Sequence, residues 1–251
     1  MPNIYNEFAT LYAGGDYPDY SKRVAGLLPA VLKRFKAYPS EIMDLACGEG
    51  TFAMVMAKKG LRVTGVDQSS EMLRFAGQKA RKSRVHVRFV RRDMRSLDFR
   101  ERFDLVTSWY DALNYLLSLA DLERTFKGVY KALRKNGLFI FDMNTIHALS
   151  KVWQQYPSTV ELDSSKYFAL HRPSYDKKHL IATLKITGFI RRNATWTRVD
   201  EDHQEKGYTL VQIRNSLKKA GFKPLAIWGS IRKMTMPREG TRRVWFVAQK
   251  P

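Results

Sequence analysis

The sequence has one cysteine, Cys47, in 251 residues, which excludes an internal disulfide and a zinc cage built on cysteine. It also lacks a long apolar run: nothing approaches the roughly 20 residues a helix needs to cross a bilayer. The first residues, Met1-Pro2-Asn3-Ile4-Tyr5-Asn6-Glu7, have neither the basic start nor the apolar centre of a secretory signal. No repeat or low-complexity stretch stands out. These absences predict a soluble, cytoplasmic protein with no membrane partner. Acidic residues are scarce as well: 24 Asp and Glu stand against 44 Lys and Arg, a net charge of +20.

The surplus bases cluster. Lys79, Arg81, Lys82, Arg84, Arg88, Arg91, Arg92 and Arg95 form one run, and Arg191-Arg192, Lys218-Lys219 and Arg242-Arg243 form shorter ones. Such a surface draws polyanions, or it is simply a solvated, ion-pair-rich exterior. Charge says nothing about fold. The 44% hydrophobic content does: at this length it suffices for one substantial core, or a core with a small appended lobe.

The apolar pattern is punctuated regularly. Asn6 to Tyr12 suits a short helix, broken by Gly14, Gly15 and Pro18. Val24, Leu27, Leu28, Val31, Leu32 and Phe35 recur at helical spacing between Tyr20 and Ala37. Strands are predicted at 41–46, 62–66, 85–91, 103–109 and 137–143, with helices at 51–59, 70–82 and 119–133 between them. That alternation implies a parallel sheet with helices on both faces. After about residue 145 it stops. Three strand-like runs, 167–173, 180–190 and 195–199, follow without helices and suit a small antiparallel lobe. A helix over 210–220 and strands at 225–230 and 244–249 close the chain. The predicted division is a main unit, 1–145 with 206–251, and an inserted antiparallel β lobe, 146–205.

The densest signal is Asp44-Leu45-Ala46-Cys47-Gly48-Glu49-Gly50. An apolar strand enters a turn of small residues that opens into a helix, so backbone can approach a ligand and helical N–H groups face it. A dinucleotide fingerprint would place its pyrophosphate here, and Glu49 within the turn would repel it. A ligand without phosphates fits better. Asp67 closes the second strand, where a carboxylate can accept from two ribose hydroxyls. Asp93, with Met94, follows the third and suits the amino edge and face of an adenine. Cys47 reads as a small residue beside the ligand, because no base is spaced to activate it.

With these residues in order, the chain resembles the class I S-adenosylmethionine-dependent methyltransferases of the small-molecule type. Asp44 to Gly50 matches the D-L-x-C-G-x-G turn, and Val66-Asp67-Gln68-Ser69-Ser70-Glu71-Met72-Leu73 the segment after the second strand. Arg92-Asp93-Met94 matches the adenine-side acid, and Phe103-Asp104-Leu105-Val106 the fourth strand. The resemblance covers residues 40–145. It implies a Rossmann-like, seven-stranded, mostly parallel sheet with S-adenosylmethionine as cofactor and S-adenosylhomocysteine as product. The methionine end would lie over Ala46, Cys47, Gly48 and Gly50, with Asp44 at its amino group. Asp67 would hold the ribose, Gln68 and Met72 would flank the adenine, and Asp93 and Met94 would close that pocket. Ser108 and Trp109 would border the sulfonium, and Tyr12 and Tyr20 would fold over the cofactor or anchor the lead-in helix. Ala46 departs from the glycine many members carry.

Ser108 to Leu116 leaves the sheet where an acceptor wall belongs. Asp111 is the candidate catalytic residue, orienting or deprotonating an acceptor amine or hydroxyl; it could equally cap the next helix. His86 reads as structural, and His147 and His171 as candidate bases. No histidine has metal-ligand spacing, so no metal is expected. The expected acceptor is a small molecule, anionic if the surface charge guides it. RNA methylation is the alternative that the +20 charge suggests, and a non-catalytic cofactor-binding module or a nicotinamide oxidoreductase are rivals of other classes.

Overall fold

The computed structural model describes Tyr5, residues 7–15 and residues 17–251. Met1 to Ile4, Asp16 and Asn6, the predicted start of the first helix, lie outside the described residues. In chain order the first part comprises α1 (Phe8–Gly14), α2 (Pro18–Arg34), β1 (Glu41–Leu45), α3 (Thr51–Lys58), β2 (Arg62–Asp67) and α4 (Ser70–Lys82). It continues through β3 (Arg88–Arg91), β4 (Phe103–Ser108), α5 (Leu119–Ala132) and β5 (Leu133–Asn144). Four strands follow: β6 (Thr159–Asp163), β7 (Tyr167–Asp176), β8 (Ile181–Arg192) and β9 (Thr195–Lys206). The chain ends with α6 (Leu210–Lys219), β10 (Lys223–Trp228) and β11 (Arg243–Gln249).

Seven strands form one sheet in the order β10-β11-β5-β4-β1-β2-β3. The pairs β1–β2, β2–β3, β1–β4 and β4–β5 are parallel, while β11 runs antiparallel to both β5 and β10. β5 shows why the sheet holds two cores: successive side chains point to opposite faces. Phe139, Phe141 and Met143 enter one cluster with Phe126 and Phe246, and Leu138 and Ile140 enter the other with Leu28, Phe52 and Met56. The helices are set by their first turns. Ser69 Oγ accepts from Met72 N–H to start α4, and Thr209 with Gln212 forms a capping box on α6.

The remaining strands make a separate antiparallel sheet, β6-β7-β8-β9, with α1 packed on it through Phe8, Leu11, Ile186, Ile190 and Val199. Among the described residues, no helix is long and apolar enough to cross a membrane.

Several sequence expectations shift. Pro18 begins α2 rather than breaking the chain, because the first turn of a helix leaves its N–H groups unbonded anyway. β5 starts four residues before the predicted Gly137, directly where α5 ends. β3 is shorter than predicted and leaves His86 outside it. β6 went unread because it is only five residues long, Thr159 to Asp163, with two apolar residues, Val160 and Leu162, too short an alternation to stand out.

Candidate active site

The turn after β1 carries left-handed backbone at Ala46 (φ 58°), Gly48 (φ 54°) and Gly50 (φ 81°). Ala46 therefore holds a conformation that costs a non-glycine residue on the order of 1 kcal/mol. A Cβ at Gly48 would meet nothing within 4 Å, so this residue faces open space; one at Gly50 would press on Ala76 and Phe89 at 3.0 Å. Asp67, closing β2, reaches back to the turn: its carboxylate accepts from Gly48 N–H at 2.8 Å and Ser69 N–H at 2.9 Å. Burial raises its pKa, and those two N–H groups partly offset the rise. Asp44 lies buried beneath, accepting from Thr107 Oγ1 at 3.2 Å, and burial pushes its carboxyl up to about 8. Burial likewise pushes the Cys47 thiol well up, which suits a packed side chain and not a nucleophile.

These residues open on a groove enclosing about 730 Å³ of atom-free space. Of the residues singled out in the sequence, Tyr12, Ala46, Gly48, Asp67, Gln68, Met72, Met94 and Trp109 line it. Asp44, Cys47, Gly50 and Ser108 do not form its wall. Ser108 Oγ and Trp109 Nε1 are both buried without a hydrogen-bond partner. Asp93 is turned elsewhere: Arg95 engages it through its backbone N–H at 2.8 Å and through its guanidinium, which holds the carboxyl below its ordinary range. Arg92 takes the place on the wall that Asp93 was expected to have. Tyr20 is also off the wall, stacked on Tyr110 at 4.8 Å with Arg243 over its ring. Glu49 does not project into the turn as a bare charge. It is buried and ion-paired with Lys79, so repulsion of a phosphate is not what distinguishes this site.

Beyond β4 the backbone makes two consecutive left-handed residues, Tyr110 (φ 60°) and Asp111 (φ 56°). Asp111 forms no side-chain cap on the short helical turn Ala112–Tyr115. Instead it accepts from Asn144 Nδ2 at 2.6 Å and Arg243 Nη1 at 3.1 Å, and Arg243 is also ion-paired with Asp142. Asn144 Nδ2 lies 2.8 Å from Glu205 Oε2 as well; burial, and then Asp111, push the Glu205 carboxyl far up. Beside this cluster runs a row of hydrogen bonds. Tyr5 Oη is 2.9 Å from Tyr115 Oη, Tyr115 Oη is 2.9 Å from His203 Nδ1, and His203 Nε2 is 3.0 Å from Glu201. Burial works to raise Glu201, but His203 and the N–H groups of Phe8 and Tyr5 outweigh it and hold the group ionised. An ionised carboxylate only accepts, so His203 Nε2 donates to Glu201, and in the neutral imidazole Nδ1 is then the acceptor facing Tyr115 Oη.

Asp111, His171, His203 and Glu205 all face a second chamber, with about 970 Å³ of atom-free space. It shares Tyr5, Tyr12, Tyr110 and Tyr115 with the groove, so the two spaces meet at those four rings. Burial pushes His171 down to about 4, which leaves it neutral near pH 7. His147 is on neither wall. The sequence reading missed Tyr5, His203 and Glu205, and held Tyr110 and Tyr115 only as part of the 108–116 segment expected to wall the acceptor.

The comparisons agree with this geometry. Residues 42–137 match the family described as methyltransferase domain. The chain is 30% identical over 253 residues to YqeM of Bacillus subtilis (strain 168), a protein classed as a methyltransferase, with 98% of this chain and 97% of that one covered. The fold superposes on an S-adenosylmethionine-dependent methyltransferase from Clostridium acetobutylicum with a TM-score of 0.82 and 27% identity, over 98% of this chain and 99% of that one. It also superposes on CalS10 of Micromonospora echinaspora, an amino pentose methyltransferase solved with S-adenosylmethionine bound, with a TM-score of 0.69 and 17% identity over 98% and 96% of the two chains. A glycine-bearing turn at the open edge of a mostly parallel sheet, with Asp67 closing the next strand beside it, is a Rossmann-like arrangement. The chain belongs to the class I S-adenosylmethionine-dependent methyltransferases.

Proposed function

We propose that the groove binds S-adenosylmethionine and the chamber binds a small-molecule acceptor, which is methylated on nitrogen or oxygen. The residues fit the cofactor. Gly48 faces open space where a side chain would obstruct, Asp67 is pre-oriented by two N–H groups, and the buried Trp109 Nε1 and Ser108 Oγ lack partners. Asp67 takes the ribose hydroxyls, with Gln68, Met72 and Met94 around the adenine. Ala46 and Gly48 cradle the amino-acid end above Asp44, with Cys47 and Gly50 shaping the turn behind them, and Tyr12 and Trp109 close the sulfonium side with Ser108 behind. Asp93 and Tyr20 act from behind, by fixing Arg95 and Tyr110. Bound there, the cofactor supplies a methyl group already activated by its sulfonium charge.

The protein's part is then to orient an acceptor, exclude water and remove a proton. Residues 146–205 serve as a substrate-binding lobe on a cofactor-binding unit of 1–145 and 206–251. Asp111 orients the acceptor. Tyr115 Oη takes its proton while passing its own to His203 Nδ1, and the imidazolium so formed faces Glu201. The observation that carries this reading is the junction of groove and chamber at Tyr5, Tyr12, Tyr110 and Tyr115. That CalS10 acts on an amino pentose supports an acceptor of that size. The test is incubation with methyl-tritiated S-adenosylmethionine and, separately, a small-metabolite extract and total RNA. Label is expected in the small-molecule fraction, and label confined to RNA would overturn the assignment.

A further inference from the structure

The chamber is charged against the rest of the molecule. The chain carries a surplus of 20 positive charges, yet among the described residues no lysine or arginine lines this space. Its ionisable wall is Asp111, Glu161 and Glu205, with His171 and His203. The nearest cation, Arg243, stands behind Asp111 and is committed to Asp111 and Asp142. His171 is neutral near pH 7, since burial holds it down to about 4. A negatively charged acceptor would therefore meet a wall of carboxyls with no lysine or arginine among its described residues to pair with.

The acids do not stand alone. The same space is walled by the rings of Phe8, Tyr17, Tyr110, Tyr115, Trp153 and Tyr156. Aromatic faces attract cations through the ring quadrupole, most strongly where water is excluded. A cleft walled by several aromatic rings and carboxyls, with no lysine or arginine among its described lining residues, is the arrangement that recognises an ammonium group. The row from Tyr115 through His203 to Glu201 opens on it too, and an ammonium must shed one proton before its nitrogen has a lone pair to share.

Resting on the two-chamber reading above, we propose that the acceptor is a cationic amine, held as its ammonium form between aromatic rings and the carboxyls of Asp111, Glu161 and Glu205. This replaces the anionic acceptor that the surface charge suggested: the +20 exterior and the acidic chamber are separate features.

Three matched probes test it: benzylamine, benzyl alcohol and benzoate, which share a ring and differ in charge. Each is titrated by calorimetry into the free protein and into protein saturated with S-adenosylhomocysteine. Benzylamine should bind about tenfold or more tighter than benzoate, with the alcohol between. Glu161 is exposed, so Glu161→Gln should fold normally while lowering benzylamine affinity severalfold and leaving the alcohol unchanged. Benzoate binding as well as the amine, no binding by any probe, or an amine affinity untouched by Glu161→Gln would each overturn the proposal. The titration with S-adenosylhomocysteine alone reads the cofactor assignment separately, so either can fail without the other.

Discussion

Asp67, the residue proposed to hold the ribose, is positioned in advance. Two backbone N–H groups fix its carboxylate before a ligand arrives, so little freedom is lost on binding. Asp67→Ala should weaken S-adenosylhomocysteine binding by about 1.5–3 kcal/mol, the range for a hydrogen bond to a charged group, and calorimetry checks it. Asp44 is prepared differently. Its folded pKa is about 8 against an ordinary 3.8, so between those values the folded chain holds a proton the unfolded chain has lost. Stability contributed by this site therefore falls as pH rises from about 4 to about 8. Asp44→Asn should raise the denaturation midpoint more at pH 8 than at pH 5, with a gain on the order of a few kcal/mol, while lowering affinity for the cofactor's ammonium. An equal effect at both pH values would show that Asp44 is ionised throughout. At this scale the place of Asp67 was legible in the sequence, because it closes a strand at the open edge of the sheet. Asp93 was not, because its guanidinium partner Arg95, two residues on, leaves no sign in a motif.

Among the elements, α1 is the one whose placement joins both spaces. Glu201 on β9 accepts from the N–H groups of Tyr5, Glu7 and Phe8, so the strand that carries His203 also holds the start of this helix. Gly188 on β8 leaves the room that Leu11 fills, and any Cβ there would collide with it. Gly188→Val should thus lift α1, giving faster protease cleavage within residues 7–15 and weaker S-adenosylhomocysteine binding, with the main sheet's unfolding midpoint little changed. Unaltered cleavage would mean that the helix does not depend on this contact. Alternation of strands and helices made the parallel sheet readable from residue 41 to 144. The chamber was not readable, because α1, the 110–115 turn, β7 and β9 build it from segments far apart in sequence, and only tertiary packing brings them together.

Taken whole, the molecule carries a large surplus of positive charge, while the chamber is walled by Asp111, Glu161 and Glu205. Self-repulsion among 20 excess charges destabilises the compact state, and salt screens it over about 10 Å at 0.1 M. The thermal midpoint should therefore rise between roughly 10 and 200 mM sodium chloride. A fall would show that ion pairs such as Arg134–Asp104 outweigh the repulsion. A crystal structure with S-adenosylhomocysteine bound decides whether the cofactor lies along the open edge of the large sheet. The ribose should rest on Asp67, the adenine between Gln68, Met72 and Met94, and the sulfur should point toward the Tyr110–Tyr115 end of the groove. A ligand bound elsewhere, or crystals soaked to saturation with the groove unchanged, would contradict it.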